Sequence, residues 1–217
     1  MKIRPRNRRI GILLSGRGSN FEAIAANVAA GKLKAEIAVV ISNVESAAGL
    51  ARARERGLNA LCIPSKGKVR EAFDAELVAA LGAHDVGLVV LAGFMRIFSP
   101  VMLQAYPNLM LNIHPSLLPS FPGRDVQQQA LDHGVKFSGC TVHLVNDALD
   151  GGPIVLQATV PVLDSDTADS LAARILVEEH RIYSEAVNLI LSGECELDGR
   201  RVRTDSGGSG NELPEQG

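Results

Sequence analysis

Cysteine is scarce in this chain of 217 residues, with only Cys62, Cys140 and Cys195, odd in number, far apart and without a Cys-x-x-Cys pair. Neither a disulfide framework nor a thiolate metal site is expected, and a reducing, cytoplasmic compartment is. Charge of one sign is missing too: Lys+Arg 22 against Asp+Glu 24 leaves a formal net charge of -2. Such balance supplies no global field for a polyanion, so nucleic acid is not expected as the main ligand. Long apolar runs are absent; stretches such as 86–93 are far too short to span a bilayer, and no membrane partner is expected. The basic opening over residues 1–8 is followed by a run that reaches Gly16 without an h-region, and it reads as a solvated, dispensable arm. What remains is ordinary globular composition, 46% hydrophobic, 21% charged and 4% aromatic. That excludes wholesale disorder and fibrous repeats, and the length allows a substantial core.

Residues 10–15 form a short apolar run ending in Gly16-Arg17-Gly18, as a strand buried on both faces would. Ser19 or Asn20 can cap the next helix, where Phe21, Ile24, Ala25 and Val28 recur at helical spacing and Gly31 is a natural stop. The alternation continues with a strand over 35–42, a helix over 47–56, a strand over 58–63, a helix over 70–81 and a strand over 86–91. This predicts an α/β fold, a mostly parallel Rossmann-like sheet with helices on both faces, and ligands gathered at the carboxyl ends of the strands. A short helix over 99–106 with Pro100 at its first position, a strand over 109–113 and a helix over 125–133 follow. Residues 138–145 and 153–160 are strand-like and joined without a helix, which predicts an antiparallel C-terminal extension. Sustained helical periodicity over 167–191 predicts a helix packed back on the sheet. One domain is expected over 1–203, with a flexible Gly/Ser-rich tail over 204–217.

Ser15-Gly16-Arg17-Gly18-Ser19-Asn20 joins the first strand to the first helix, where free backbone N–H groups and the helix dipole favour an anion such as a phosphate. A dinucleotide fingerprint would need glycine at Phe21, and a Walker loop would need Gly-Lys-Ser/Thr, so nicotinamide cofactors and ATP are not expected. A tight turn without a ligand is the alternative. In Asn112-Ile113-His114-Pro115-Ser116-Leu117-Leu118-Pro119 a polar pair at period two ends an apolar strand, so Asn112 and His114 point the same way. An amide donor beside an imidazole can stabilise an oxyanion and move a proton, as acyl or formyl transfer requires; a hydrogen-bonded strand-end histidine is the simpler alternative. By spacing alone, Leu149-Asp150-Gly151-Gly152-Pro153 is a hairpin turn. His143 and His180 have no ligand partners at metal spacing, and no metal site is expected.

These segments, with Leu91-Ala92-Gly93-Phe94-Met95-Arg96-Ile97, occur in an order that closely resembles the glycinamide ribonucleotide formyltransferases, folate-dependent enzymes of purine synthesis, from about Arg9 to about Gly193. The resemblance implies formyl transfer from 10-formyltetrahydrofolate, as co-substrate, to the amine of glycinamide ribonucleotide, with no metal. It implies that Asn112, His114 and Asp150 are the catalytic set and that Gly18, Ser19 and Asn20 hold the substrate phosphate. Glu179 would contact the glycinamide substrate. Arg70, Met95, Arg96, Ile97 and Phe98, with Asn112 and the stretch Asn146, Asp147, Ala148, Leu149 and Asp150, would form the folate site. Two small molecules are then the expected partners, and a homodimer is left open.

The chain departs from the family pattern at Leu176, where relatives often place a polar or basic residue, at Asp125, where many have His, and at Ser184, where proline is frequent. A formyltetrahydrofolate hydrolase would resemble this block but carry a regulatory domain before it, for which residues before Ile10 leave no room. A methionyl-tRNA formyltransferase would usually have Ala at the place of Pro115 and a basic C-terminal domain.

Overall fold

The computed structural model describes residues 1–204, so the tail expected beyond Thr204 lies outside the described residues. In chain order the elements are β1 (Lys2–Ile3), β2 (Arg9–Leu14), α1 (Ser19–Ala29), β3 (Glu36–Ser42), α2 (Ala48–Glu55), β4 (Ala60–Cys62), α3 (Arg70–Ala83) and β5 (Leu88–Leu91). They continue with α4 (Pro100–Ala105), β6 (Met110–His114), α5 (Val126–Asp132), β7 (Phe137–Leu144), β8 (Ile154–Pro161), α6 (Ala168–Ser192), β9 (Cys195–Asp198) and β10 (Arg201–Thr204). The ten strands among the described residues form one sheet in the order β1-β9-β10-β8-β7-β6-β5-β2-β3-β4. From β4 across to β6 every pairing is parallel, and β7 and β8 then add antiparallel.

The period of two along β2 shows why the sheet is covered on both faces. Ile10, Ile12 and Leu14 face the core beneath α1, α2, α5 and α6, while Leu13 faces the second core beneath α3 and α4. The last helix begins at a capping box, Thr167 Oγ1 accepting from Ser170 N at 3.2 Å and Ser170 Oγ accepting from Thr167 N at 2.9 Å, and stops at Gly193 with φ 73°. Its buried stripe Leu171, Ile175, Ile182, Val187 and Ile190 packs against the sheet and fixes Glu179 on the same side.

The N-terminal arm is not solvated. β1 pairs antiparallel with β9, Ile3 is buried, and Arg6 Nη2 donates to Val86 O at 3.0 Å while Asn7 Nδ2 donates to Asp85 O at 2.9 Å. Its partner is part of a C-terminal hairpin, β9 and β10, that was not expected from the sequence. Deletion of residues 1–7 is therefore expected to be destabilising. Burial of one Ile side chain contributes roughly 1.5–3 kcal/mol, so scanning calorimetry should show a drop in Tm of about 5 °C. An unchanged Tm would mean that the docked arm adds nothing to stability.

Candidate functional site

The turn after β2 leaves the start of α1 uncapped. Gly18 is the N-cap of α1 with φ 76°, and no side chain caps the helix, so its first N–H groups are left for another acceptor. A Cβ on Gly18 would lie 2.7 Å from Gly49 Cα; glycine is required both by the left-handed backbone and by the close crossing of α1 and α2. Residues 15–20 line a cavity of about 220 Å³ that Ala92, Gly93 and Met95 close from the end of β5. Arg17 lines it with an exposed side chain.

Beside this cavity, Asn20 Nδ2 donates to Glu179 Oε2 at 2.7 Å across the gap between α1 and α6. Glu179 is buried, and that burial pushes its carboxyl above the ordinary range, with the Asn20 bond and the field of His114 acting in the opposite sense. Tyr183, one turn on, points its hydroxyl at Leu91 O (2.8 Å) and Leu111 O (3.0 Å), pinning α6 to β5 and β6. A raised folded-state value means that native protein binds the Glu179 proton more readily than unfolded protein does. Stability is therefore lost as pH rises from the unfolded value through the folded one. Glu179→Gln should accordingly be more stable than wild type at pH 7, by roughly 2–4 °C in Tm, with the gap closing below about pH 4. Thermal melts at both pH values check this, and a less stable variant at pH 7 would contradict it.

Asn112 and His114 leave the same side of β6, and the β6–β7 register sets Asn112 opposite His143 and His114 opposite Thr141. The loop between β7 and β8 then folds back. It carries Asp150, itself at φ 49°, to 3.4 Å from His114 Nδ1 (Oδ2) and 3.8 Å from His143 Nε2 (Oδ1). Gly152 makes that path possible, because a Cβ there would lie 1.6 Å from Leu144 O. Gly123 N donates to Asp150 Oδ2 at 2.9 Å, and His114 Nε2 lies 2.9 Å from Phe121 O. A carbonyl only accepts, so Nε2 is the donor, while Nδ1 faces a carboxylate.

Sequence reasoning weighed His143 only as a metal ligand and gave it no place in the site. It is buried, and burial lowers its tendency to take up a proton, partly offset by its bond to Leu144 and by Asp150. Its Nδ1 lies 3.0 Å from Leu144 O and so carries the hydrogen; Nε2 is then the acceptor, 3.1 Å from Asn112 Nδ2. The neutral ring thereby decides which end of the Asn112 amide faces it, and one amide N–H remains available.

Of the residues expected around a folate, Met95 (70% exposed), Ile97 (55%) and Leu149 (60%) present apolar side chains at the surface. Phe98 is turned inward, stacked on Phe94 at 5.6 Å, so its backbone alone is available. Arg96 lies over the Phe73 ring at 5.7 Å, and Arg70 is exposed at the start of α3. Asn146 Oδ1 accepts from Ala148 N at 3.1 Å, shaping the loop in which Asp147 and Ala148 are exposed. Leu176 is half-buried. Among the described residues, no group of three or more His, Cys, Asp or Glu side chains is placed to hold a metal ion.

An anion-receptive turn, a buried carboxylate and a donor amide beside an Asp-paired imidazole, gathered around the carboxyl ends of the central strands β2, β5 and β6, define a group-transfer enzyme for small molecules. The chain belongs to the formyl transferase family, whose match covers residues 8–187. It is 42% identical over 207 residues to phosphoribosylglycinamide formyltransferase of Escherichia coli (strain K12), covering 95% of this chain and 96% of that one. The fold is similar to the crystal structure of glycinamide ribonucleotide transformylase 1 from Symbiobacterium toebii, with TM-score 0.89, 52% identity and coverage of 91% and 94%. It is similar as well to phosphoribosylglycinamide formyltransferase from Anaplasma phagocytophilum, with TM-score 0.84, 43% identity and coverage of 94% and 97%.

Proposed function

We propose that the protein transfers the formyl group of 10-formyltetrahydrofolate to the amine of glycinamide ribonucleotide, giving N-formylglycinamide ribonucleotide and tetrahydrofolate in purine biosynthesis. The observation that carries this reading is the joined cluster of Asn112, His143, Asp150 and His114 beside the residue 15–20 cavity. The amine nitrogen attacks the formyl carbon, the carbon–N10 bond breaks, and one proton passes from the amine to N10. Asn112 offers its remaining amide N–H to the oxygen that becomes negative, and His114 adds positive charge and a movable proton. Asp150, 3.4 Å from Nδ1, orients the His114 ring. Gly18, Ser19 and Asn20 hold the phosphate by backbone N–H groups, and Glu179 contacts the glycinamide end.

The folate fits the exposed apolar side chains of Met95, Ile97 and Leu149, a surface suited to a flat heterocycle. Arg70 and Arg96 supply cations for its carboxylates. Cys62, Cys140 and Cys195 form no disulfide, which suits a cytoplasmic setting, and no described helix is long and apolar enough to cross a membrane. The test is to supply both substrates and measure formylated product by mass together with formate release. Formyl transfer that depends on glycinamide ribonucleotide is expected; release of formate at the same rate without it would make the protein a hydrolase instead.

A further inference from the structure

We propose that Asp74, a buried carboxylate on α3, is a positioning residue for segment 93–99: it holds the segment's far end through Ser99 and so sets how Met95 and Ile97 meet the folate. The proposal rests on the reading that this segment contacts the folate.

Asp74 is only 1% exposed, and carboxylates are almost never buried so completely without a dedicated partner. Its Oδ2 accepts from both the backbone N (2.6 Å) and the Oγ (2.7 Å) of Ser99, which is also 1% exposed. Its Oδ1 is buried with no partner at all. A half-satisfied buried carboxylate calls for an explanation other than packing.

A second observation comes from Ser99 itself. It is the N-cap of α4, where a serine hydroxyl ordinarily accepts from its own helix, yet here no side-chain cap bond forms. The hydroxyl is diverted to Asp74. At the near end of the segment, Ser15 N donates to Gly93 O at 3.1 Å and Ser15 Oγ accepts from Met95 N at 2.9 Å. Between the two anchors Phe94 and Phe98 turn inward, and Phe73, the neighbour of Asp74, stacks on Phe94 at 6.4 Å. Met95 and Ile97 therefore point outward from a backbone tied at both ends, with α3 supplying the tie at Ser99.

The test compares Asp74→Ala, Asp74→Asn, Ser99→Ala and Ile97→Ala in the full chain, reading KM for each substrate and amide hydrogen exchange over 94–99. Asp74→Ala should raise KM for 10-formyltetrahydrofolate about tenfold, leave KM for glycinamide ribonucleotide within about twofold, and accelerate exchange in 94–99. Ser99→Ala keeps the backbone bond and should raise the folate KM about threefold. Asp74→Asn retains an acceptor for Ser99 and should stay near wild type. Equal changes in both KM values, or none, in a folded Asp74→Ala overturn the proposal. Should that variant not fold, an unchanged folate KM in Ser99→Ala overturns it. Ile97 makes no such tie, so Ile97→Ala tests the segment's role directly. No rise in its folate KM would refute the reading of the segment, whereas a rise there with silence at Asp74 and Ser99 would refute only the role of Asp74.

Discussion

Replacing His114 by Ala or Asp150 by Asn is expected to lower kcat by about a hundredfold or more, and the double variant should be barely slower than the worse single one. The reason lies in how the pair is held. His114 has Phe121 O at one nitrogen and Asp150 at the other, and Asp150 Oδ2 also takes the Gly123 N–H. An asparagine at 150 keeps the size of the side chain but loses the charge that faces the ring, and its amino group would face a donor at Gly123 or at the ring. Removing the His114 ring takes away the group that Asp150 is proposed to orient. Groups that act as a unit are strongly non-additive. The quantity to compare is turnover at saturating concentrations of both substrates. Multiplicative losses would instead mean that Asp150 works independently, by shaping the Gly151-Gly152 turn.

The parallel half of the sheet was legible because its strands are apolar on both faces and its helices repeat at 3.6 residues, so period and length together separate the two. The antiparallel turn at β7 and β8 was legible for a negative reason: no helix fits between them. β1, β9 and β10 were not, since they are short and half-exposed, with burial that alternates only weakly. Gly199 was a local signal: with Arg201 opposite Asp198, Gly199-Arg200 is the two-residue hairpin loop and its glycine has φ 58°. In the site, Asn112 and His114 could be read from period two at the end of an apolar strand. Asp150 could not be brought to them by spacing, because the path of the β7–β8 loop depends on Gly152 passing against Leu144 O. His143 was hidden for a related reason: the register of β7 on β6 chooses its partner, and register is a tertiary property.

That register makes Asn112 and His143 the second test. Asn112→Ala removes the proposed oxyanion donor and should cost about 10²–10³ in kcat. His143→Ala leaves the donor present but free to rotate, and about a tenfold loss is expected. The two are distinguished by pH. Burial lowers the folded-state value of His143, so its neutral form contributes stability that is present above the unfolded value of about 6.5 and lost as pH falls toward the folded one. Once protonated, Nε2 becomes a donor facing the Asn112 amino group, and the amide must turn over to satisfy it, moving the donor away from the substrate. Glutamine at 143 can accept the same hydrogen bond and does not titrate. His143→Gln should therefore keep more activity than His143→Ala at pH 7.5 and decline less than wild type between pH 6.5 and 5. The substrate amine titrates identically in both assays, so the ratio of the two profiles isolates residue 143, with circular dichroism confirming that each protein stays folded. Superimposable acid limbs would show that the protonation of His143 does not govern the Asn112 amide.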